Sequence, residues 1–412
     1  MEEAIMDTSD LRMPVRLLAA SIACALTHTS HAGVYVQCPG DINGDAVIDN
    51  PDPNHPRAVC KHLAAGDGFI RMGDDIEKLQ YIFGFSDVTG VPSDQVIDTG
   101  LLAANFPAPT ISLREGDEFY LTLTNVALAI RPDLFDPHSV HFHGFPNAAS
   151  VFDGVPEGSI AVNQGESLTY YYNIVEPGTF IYHCHVEAAE HMQMGMLGNL
   201  YVHPSQDGTS KTYDGKTYTK FVYNDGDGST GYDVEFPLQL GSFDPVFHDL
   251  HLKIQPLPFA NMKDTYPMIN GRGYPDTVNP AQLPTPIDPE TGESANNGNQ
   301  SQKVSSLVTA SAGQRILLRI SNLNVTNFYT VAALGLPMTV VGTGAHILRG
   351  PTGKTLYYDT SSITLGGGEA VDVLIDTRGI APGTYFLYTT NLNYLSNNTE
   401  DYGGMMTEIV IN

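Results

Sequence analysis

His183-Cys184-His185-Val186-Glu187-Ala188-Ala189-Glu190-His191-Met192-Gln193-Met194-Gly195-Met196 packs one thiol, three imidazoles and a late thioether into fourteen residues. Upstream, His138-Ser139-Val140-His141-Phe142-His143-Gly144 adds three more imidazoles. A mononuclear blue-copper centre takes two imidazoles and a thiolate in a trigonal plane, with a weak axial thioether. The two segments offer that set, with Cys184 as its sulfur. A lone Cys or His reads as a small core residue, but this clustering in two short segments points to a metal. Side chains alternate along a strand, so His183 and His185 should face one way and Cys184 the other. One stretch of backbone then joins two metal sites. The same alternation turns His141 and His143 together, away from Phe142.

Both segments resemble the multicopper oxidase family, which carries His-x-x-His-x-His-Gly and His-Cys-His…His…Gly-Met motifs. The resemblance implies that His138, Cys184, His191 and Met196 hold a type 1 copper, that His141 binds the type 2 copper, and that His143, His183 and His185 bind the type 3 pair. Electrons taken up at the type 1 copper would leave through Cys184 toward His183 and His185. The family usually places the second type 1 histidine five residues after the cysteine, whereas His191 lies seven after Cys184. The interval from His191 to Met196 is the expected one, so the difference reads as a lengthened loop, with Met192 and Met194 as spare sulfur ligands.

A complete trinuclear cluster in the family takes eight histidines, as four His-x-His pairs, and this chain supplies two pairs. The other half is expected from another copy of the chain or from a different chain. The implied activity is that of a laccase-like oxidase, which removes single electrons from a small-molecule, metal-ion or redox-protein donor and reduces dioxygen. A copper nitrite-reductase-like enzyme is the alternative, although His141 stands where those reductases have a catalytic Asp. A non-enzymatic blue-copper electron-transfer subunit is a third reading.

At 412 residues the chain has room for two or three domains. Strands should dominate, because the 40 Gly and 27 Pro punctuate runs in which Thr, Val and Tyr alternate, and helical periodicity is scarce. A formal net charge of −26 excludes nucleic acid as a partner and suits a soluble exported protein. The same acidity would attract cations, whether Fe(II), Mn(II) or a basic redox protein. Arg12 and Arg16, the apolar run Leu17 to Leu26, and Ser30-His31-Ala32 predict a signal peptide over 1–32, hence a periplasmic or extracellular location. No later segment is apolar enough to span a bilayer. With the signal removed and Cys184 given to copper, Cys38 and Cys60 are left to form a disulfide, which suits an exported protein.

The fold class is all-β: two cupredoxin-like Greek-key β-sandwich domains preceded by a small Asp- and Gly-rich segment. That segment, 33–95, contains Asp41, Asn43, Asp45, Val47, Asp49 and Asp52 at the ligand positions of an EF-hand or dockerin loop, a candidate structural calcium site. The copper-binding domain is placed at 96–205, a polar linker at 206–218 and the second domain at 219–412. The second domain repeats the first. Gly368-Glu369 echoes Gly165-Glu166, Pro382-Gly383-Thr384 echoes Pro177-Gly178-Thr179, and Gly404-Met405 mirrors Gly195-Met196. That register sets Tyr388, Thr389 and Thr390 opposite His183, Cys184 and His185, so the second domain lacks the copper ligands. An Asn- and Pro-rich insertion, 277–302, reads as an exposed loop. His248 and His251 have ligand-like spacing but no partner cluster, so they read as core histidines.

Overall fold

The structure is a computed structural model and describes residues 37–145, 148–253 and 256–412, so the expected signal peptide lies outside the described residues. In the first sandwich, eight strands form two sheets over one core. They are β1 (Ala58–Arg71), β2 (Leu79–Asp87), β3 (Ile111–Arg114), β4 (Glu118–Asn125), β5 (His141–Phe142), β6 (Ser167–Asn173), β7 (Gly178–His183) and β8 (Leu197–His203). One sheet runs β2-β1-β4-β6 and the other β3-β8-β7-β5. Pairing is antiparallel except for β1 with β4 and β3 with β8. The buried positions of β6, Leu168, Tyr170 and Tyr172, alternate with more exposed ones and pack with Phe119, Leu121, Phe142 and Phe180.

This sandwich starts earlier than the boundary expected at residue 96. Strand β1 was hidden because both its faces are covered and it carries Ala64-Ala65-Gly66-Asp67-Gly68, which has no polar and apolar alternation to reveal it. The Asp-rich loop docks on the same sheet through the Cys38–Cys60 disulfide, beside Tyr120. The expected linker also holds structure: β9 (Lys211–Tyr213) and β10 (Lys216–Tyr218) pair across Asp214-Gly215, both at positive φ as a tight hairpin turn requires.

The second sandwich repeats the plan. Strands β11 (Val234–Phe243), β12 (Tyr266–Ile269), β13 (Val308–Ala310), β14 (Arg315–Asn322), β15 (Tyr329–Ala333), β16 (Met338–Thr343), β17 (His346–Ile347), β18 (Tyr358–Thr360), β19 (Ser362–Leu365), β20 (Glu369–Asp376) and β21 (Gly383–Thr389) lead to a small hairpin, β22 (Ser396–Asn397) with β23 (Glu400–Asp401), and to β24 (Met406–Ile411). One sheet is β12-β11-β14-β20-β16-β17, with β18 against β16, and the other is β13-β24-β21-β15-β19. The parallel pairs recur: β11 with β14, and β13 with β24.

Residues 277–302 are irregular and in large part exposed, as expected, but the segment is anchored to the first sandwich by buried residues, Asn296 and Gln302 among them. Strand β1 pairs with β4 only as far as Ala65, which leaves backbone groups of its second half without a strand on that side. The Asn296 amide accepts from Phe69 N at 2.8 Å and donates to Phe69 O at 2.8 Å, and the Gln302 amide does the same for Arg71 at 3.1 and 2.9 Å. Two side-chain amides thus replace a neighbouring strand, and both residues are buried as a result.

The two sandwiches meet across Ile70, Ile82, Phe106, Ile181, Leu197, Phe243 and Met268. Beside this apolar seam, Arg319 lies fully buried between Glu235 (2.8 Å) and Asp372 (3.4 Å), and Asp372 also accepts from Thr179 Oγ1 at the start of the cysteine-bearing strand.

Candidate metal centre

Cys184 follows directly on β7, and its amide donates to Met196 O at 3.1 Å, so the strand and the residues ahead of β8 hold the sulfur from both sides. The amide of Met196 donates to His191 O at 2.9 Å, which seats the buried Met196 under the same turn. His191 belongs to a seven-residue helix, Ala188–Met194, which begins after Glu187 at φ 45° and ends at Gly195. Gly195 is required there: its φ is +115° and an added Cβ would meet Phe83 O at 2.9 Å. The lengthened interval between Cys184 and His191 is therefore taken up as helix. His138 is fixed by a two-way backbone bridge to Val162.

These placements bring one donor atom each from His138, Cys184 and His191 within 4.8 Å of one another. The sulfur lies 3.8 Å from His138 Nδ1 and 3.2 Å from His191 Nδ1, and Ser139 N donates to it at 3.5 Å. All three residues are 0% exposed. Burial pushes the Cys184 thiol up to about 12, pulls His138 down to about 3 and takes His191 well below its ordinary value. Both imidazoles are therefore neutral at neutral pH and offer lone pairs, and the thiol is held protonated until a cation arrives. A coordinated thiol is deprotonated outright, so this donor set fits a soft-ligand copper ion.

On the other side of the same backbone, His141, His143 and His183 also bring donor atoms within 4.8 Å. The His185 ring lies 5.0 Å from that of His141 and 5.6 Å from that of His183. Three of these rings have Nδ1 against a carbonyl: His141 on Asp153 O (2.6 Å), His143 on Gly368 O (3.1 Å) and His183 on Cys184 O (2.7 Å). Carbonyls only accept, so each Nδ1 carries the proton and each Nε2 is bare. His143 Nε2 and His183 Nε2 face each other at 2.9 Å. Two bare lone pairs at that distance repel unless a cation lies against both, so this group also fits a metal. Fixing the tautomer through the far nitrogen is the usual outer-shell arrangement at metal-ligating histidines.

Other acidic and imidazole groups surround the first set. Asp136 and Glu187 approach His191 closely, and burial, with Glu190 and Glu187 nearby, raises the Asp136 carboxyl to about 6. Neither residue stood out in the sequence, since isolated carboxylates carry no spacing signal. His248 and His251 are buried and belong to neither histidine group. They bond instead to the His191 helix, a role with no local signature.

The Asp-rich loop turns its carboxylates inward. Asp41 accepts from Gly44 N and Ala46 N, Asp45 from Val47 N, and Asp49 from Ile42 N. Asn43 accepts from Asp45 N, while Val47 and Asp52 complete the stretch without joining a cluster. Among the described residues these side chains do not converge as the two histidine groups do. The calcium expectation is therefore not supported.

Fold and donor sets together define the class: a two-sandwich cupredoxin-type protein with copper-ligand chemistry in its first half. Two family profiles, each described as multicopper oxidase, match residues 89–207 and 259–410, and the chain belongs to the multicopper oxidase family. It is 24% identical over 293 residues to the multicopper oxidase MmcO of Mycobacterium tuberculosis, covering 69% of this chain and 49% of that protein. It is 25% identical over 340 residues to Laccase-11 of Arabidopsis thaliana, covering 79% and 49%. The chain thus spans about half the length of these relatives. Its fold is similar to that of a blue copper oxidase from Nitrosomonas europaea, with TM-score 0.59, 20% identity and 85% of each chain covered. A copper nitrite reductase from the same organism shares the fold at TM-score 0.55 and 17% identity, with 85% and 93% covered.

Proposed function

We propose that this chain is an exported, copper-dependent oxidoreductase that takes single electrons from a donor near His191 and delivers them to dioxygen at the histidine edge on the far side of Cys184. Copper held by His138, Cys184, His191 and Met196, and by His141, His143, His183 and His185, would supply one-electron redox chemistry and dioxygen binding. The chain's own part is positional. Cys184 contributes its sulfur to one group while its neighbours His183 and His185 belong to the other, so one residue of backbone separates the two. This is the observation that carries the reading, and the His183 Nδ1 bond to Cys184 O at 2.7 Å shortens the link further.

The donor is a phenolic, organic or metal-ion reductant or a redox protein, and the acidic surface favours cationic ones. The Cys38–Cys60 disulfide supports an oxidising compartment. Among the described residues, no histidine from 219–412 joins either donor group. The second half of the cluster therefore comes from another copy of the chain or from a partner chain. If neither supplies it, the protein is a blue-copper electron carrier, the second reading that the same observation favours.

Copper content per chain, absorption spectra and solution mass on the purified protein decide between them. An oligomer with the near-ultraviolet band of coupled copper ions and oxygen uptake supports the oxidase. A monomer with one blue copper and no oxygen uptake overturns it in favour of the carrier.

A further inference from the structure

We propose that His248 and His251 are positioning residues for the first copper group, holding the His191 helix in register from outside. The inference rests on the assignment of copper to His138, Cys184 and His191.

A seven-residue helix does not hold itself, and Ala188–Met194 has no side-chain N-cap. Apart from the contact of His191 with Cys184, the side-chain hydrogen bonds that tie it to other elements run, among the described residues, to His248, His251 and Asp264. His248 Nε2 lies 2.8 Å from Gln193 O, His251 Nε2 lies 2.9 Å from Glu190 Oε1, and Gln193 Nε2 donates to Asp264 Oδ1 at 2.9 Å. The other nitrogen of each ring is also engaged: His248 Nδ1 on Tyr81 O in β2 at 2.6 Å, and His251 Nδ1 on Phe247 O at 2.9 Å. His248 thus lies between β2 and the His191 helix, and His251 between its own helix and Glu190. A neutral imidazole has one N–H and donates to one of its two acceptors at a time. The two residues are only 0% and 2% exposed.

The segment doing the holding is itself fixed. Its helix, Pro245–Leu250, is capped by Asp244, which accepts from Val246 N and Phe247 N, and begins with Pro at its first position. Arg131 donates to His251 O, and Lys78 pairs with Asp249 at 2.9 Å. Phe83 meets both rings edge-on, His191 at 5.8 Å and His251 at 5.5 Å. A shift of His251 would therefore be felt at His191, whose Nδ1 lies 3.2 Å from the sulfur. Ligand geometry of this kind has to be held to about half an ångström by packed and hydrogen-bonded supports. The second sandwich has no copper ligands of its own in this reading, yet the segment between its first two strands fixes the loop of the first.

The test uses the full chain, with and without copper, carrying His248→Phe or His251→Phe, which keep ring volume and remove the donors, and His251→Gln, which keeps a donor toward Glu190. We expect both Phe variants to release copper to a chelator about tenfold to a hundredfold faster than the parent. Their thiolate-to-copper band should shift or weaken, and the metal-free Cys184 should alkylate faster. His251→Gln should recover most of the parental behaviour. His62→Gln, a buried histidine paired with Thr124 in the β1–β4 sheet, is the control for lost stability alone. Phe variants that lose thermal stability as the control does, with parental spectrum, release rate and Cys184 reactivity, overturn the inference. If His251→Phe does not fold, Glu190→Leu breaks the same bond from the helix side, and an unchanged release rate there overturns it equally. A parent that forms no blue centre overturns the copper assignment instead, and the alkylation rates of the metal-free variants still decide whether the two histidines hold the loop.

Discussion

The imidazole of His143 in the first sandwich donates to the carbonyl of Gly368 in the second, at 3.1 Å. The second sandwich thereby sets which nitrogen of His143 is free for a metal. Gly368 sits at φ +89°, and a Cβ built on it would lie 2.8 Å from His143 Cε1. Gly368→Ala should therefore push the His143 ring aside and also strain the backbone. The expected outcome is lower copper occupancy at the four-histidine edge with the blue absorption retained. Metal analysis and electron paramagnetic resonance on the same sample check it, and equal occupancy in parent and variant would show that the contact does not orient the ring.

Cys184→Ser separates the two groups chemically. The hydroxyl is a poor replacement for a thiolate in a soft-ligand site, so the blue absorption should vanish. His141, His143, His183 and His185 are untouched, and His183 keeps its bond to a backbone carbonyl rather than to the sulfur. Copper bound at the histidine edge should thus persist, with total copper falling by about one ion per chain by ligand count. Blue colour that survives the substitution would mean that the sulfur is wrongly assigned.

The residues whose chemistry is local could be read in advance. Cys184 with its flanking histidines, and the two His-x-His pairs, lie within a few positions of one another, and strand alternation alone separates their directions. The internal repeat was legible for the same reason: Thr389 N donates to Met405 O at 3.0 Å just as Cys184 N donates to Met196 O at 3.1 Å. What could not be read depends on partners far away in the chain. The amides of Asn296 and Gln302 look like loop composition, yet they complete β1 across 227 and 231 residues. His248 and His251 reach the His191 helix across 55 and 61 residues. Strand β1 escaped because burial on both faces erases the alternation that marks a half-exposed strand.

The buried pair Arg319 and Asp372 joins the sandwiches beside the cysteine-bearing strand. Asp372 accepts from Thr179 Oγ1 and from Tyr223 OH, each at 2.5 Å, and faces Arg319 at 3.4 Å. Asp372→Leu strands the guanidinium with Glu235 as its one remaining carboxylate and leaves two hydroxyls short of an acceptor. Breaking one side of such a pair costs about 3–5 kcal/mol, whereas replacing both sides by apolar groups is often neutral or better. Urea unfolding should show a large loss for Asp372→Leu and recovery of most of it in Arg319→Met with Asp372→Leu. A double variant as unstable as the single one would mean that the hydroxyl partners, not the ion pair, dominate.

His62 gives the clearest pH dependence outside the metal groups. Its Nε2 lies 2.7 Å from Thr124 Oγ1, its Nδ1 has no partner, and burial lowers it from 6.5 to about 4. The unfolded chain therefore takes up a proton near pH 6.5 that the folded chain refuses until about pH 4. The unfolded state binds more protons across that window, so the stability contributed by the neutral ring is full above 6.5 and drains away as pH falls toward 4. Integrating between pH 7.5 and 5 gives a loss of about 2 kcal/mol from this one residue. Other buried histidines add to the total, so the measurement is a difference. His62→Gln has no titration in this range and can still bond to Thr124, and its unfolding free energy should fall by about 2 kcal/mol less than the parent's over the same interval. Parallel pH profiles for the two proteins would show that the folded chain takes up the His62 proton as readily as the unfolded one.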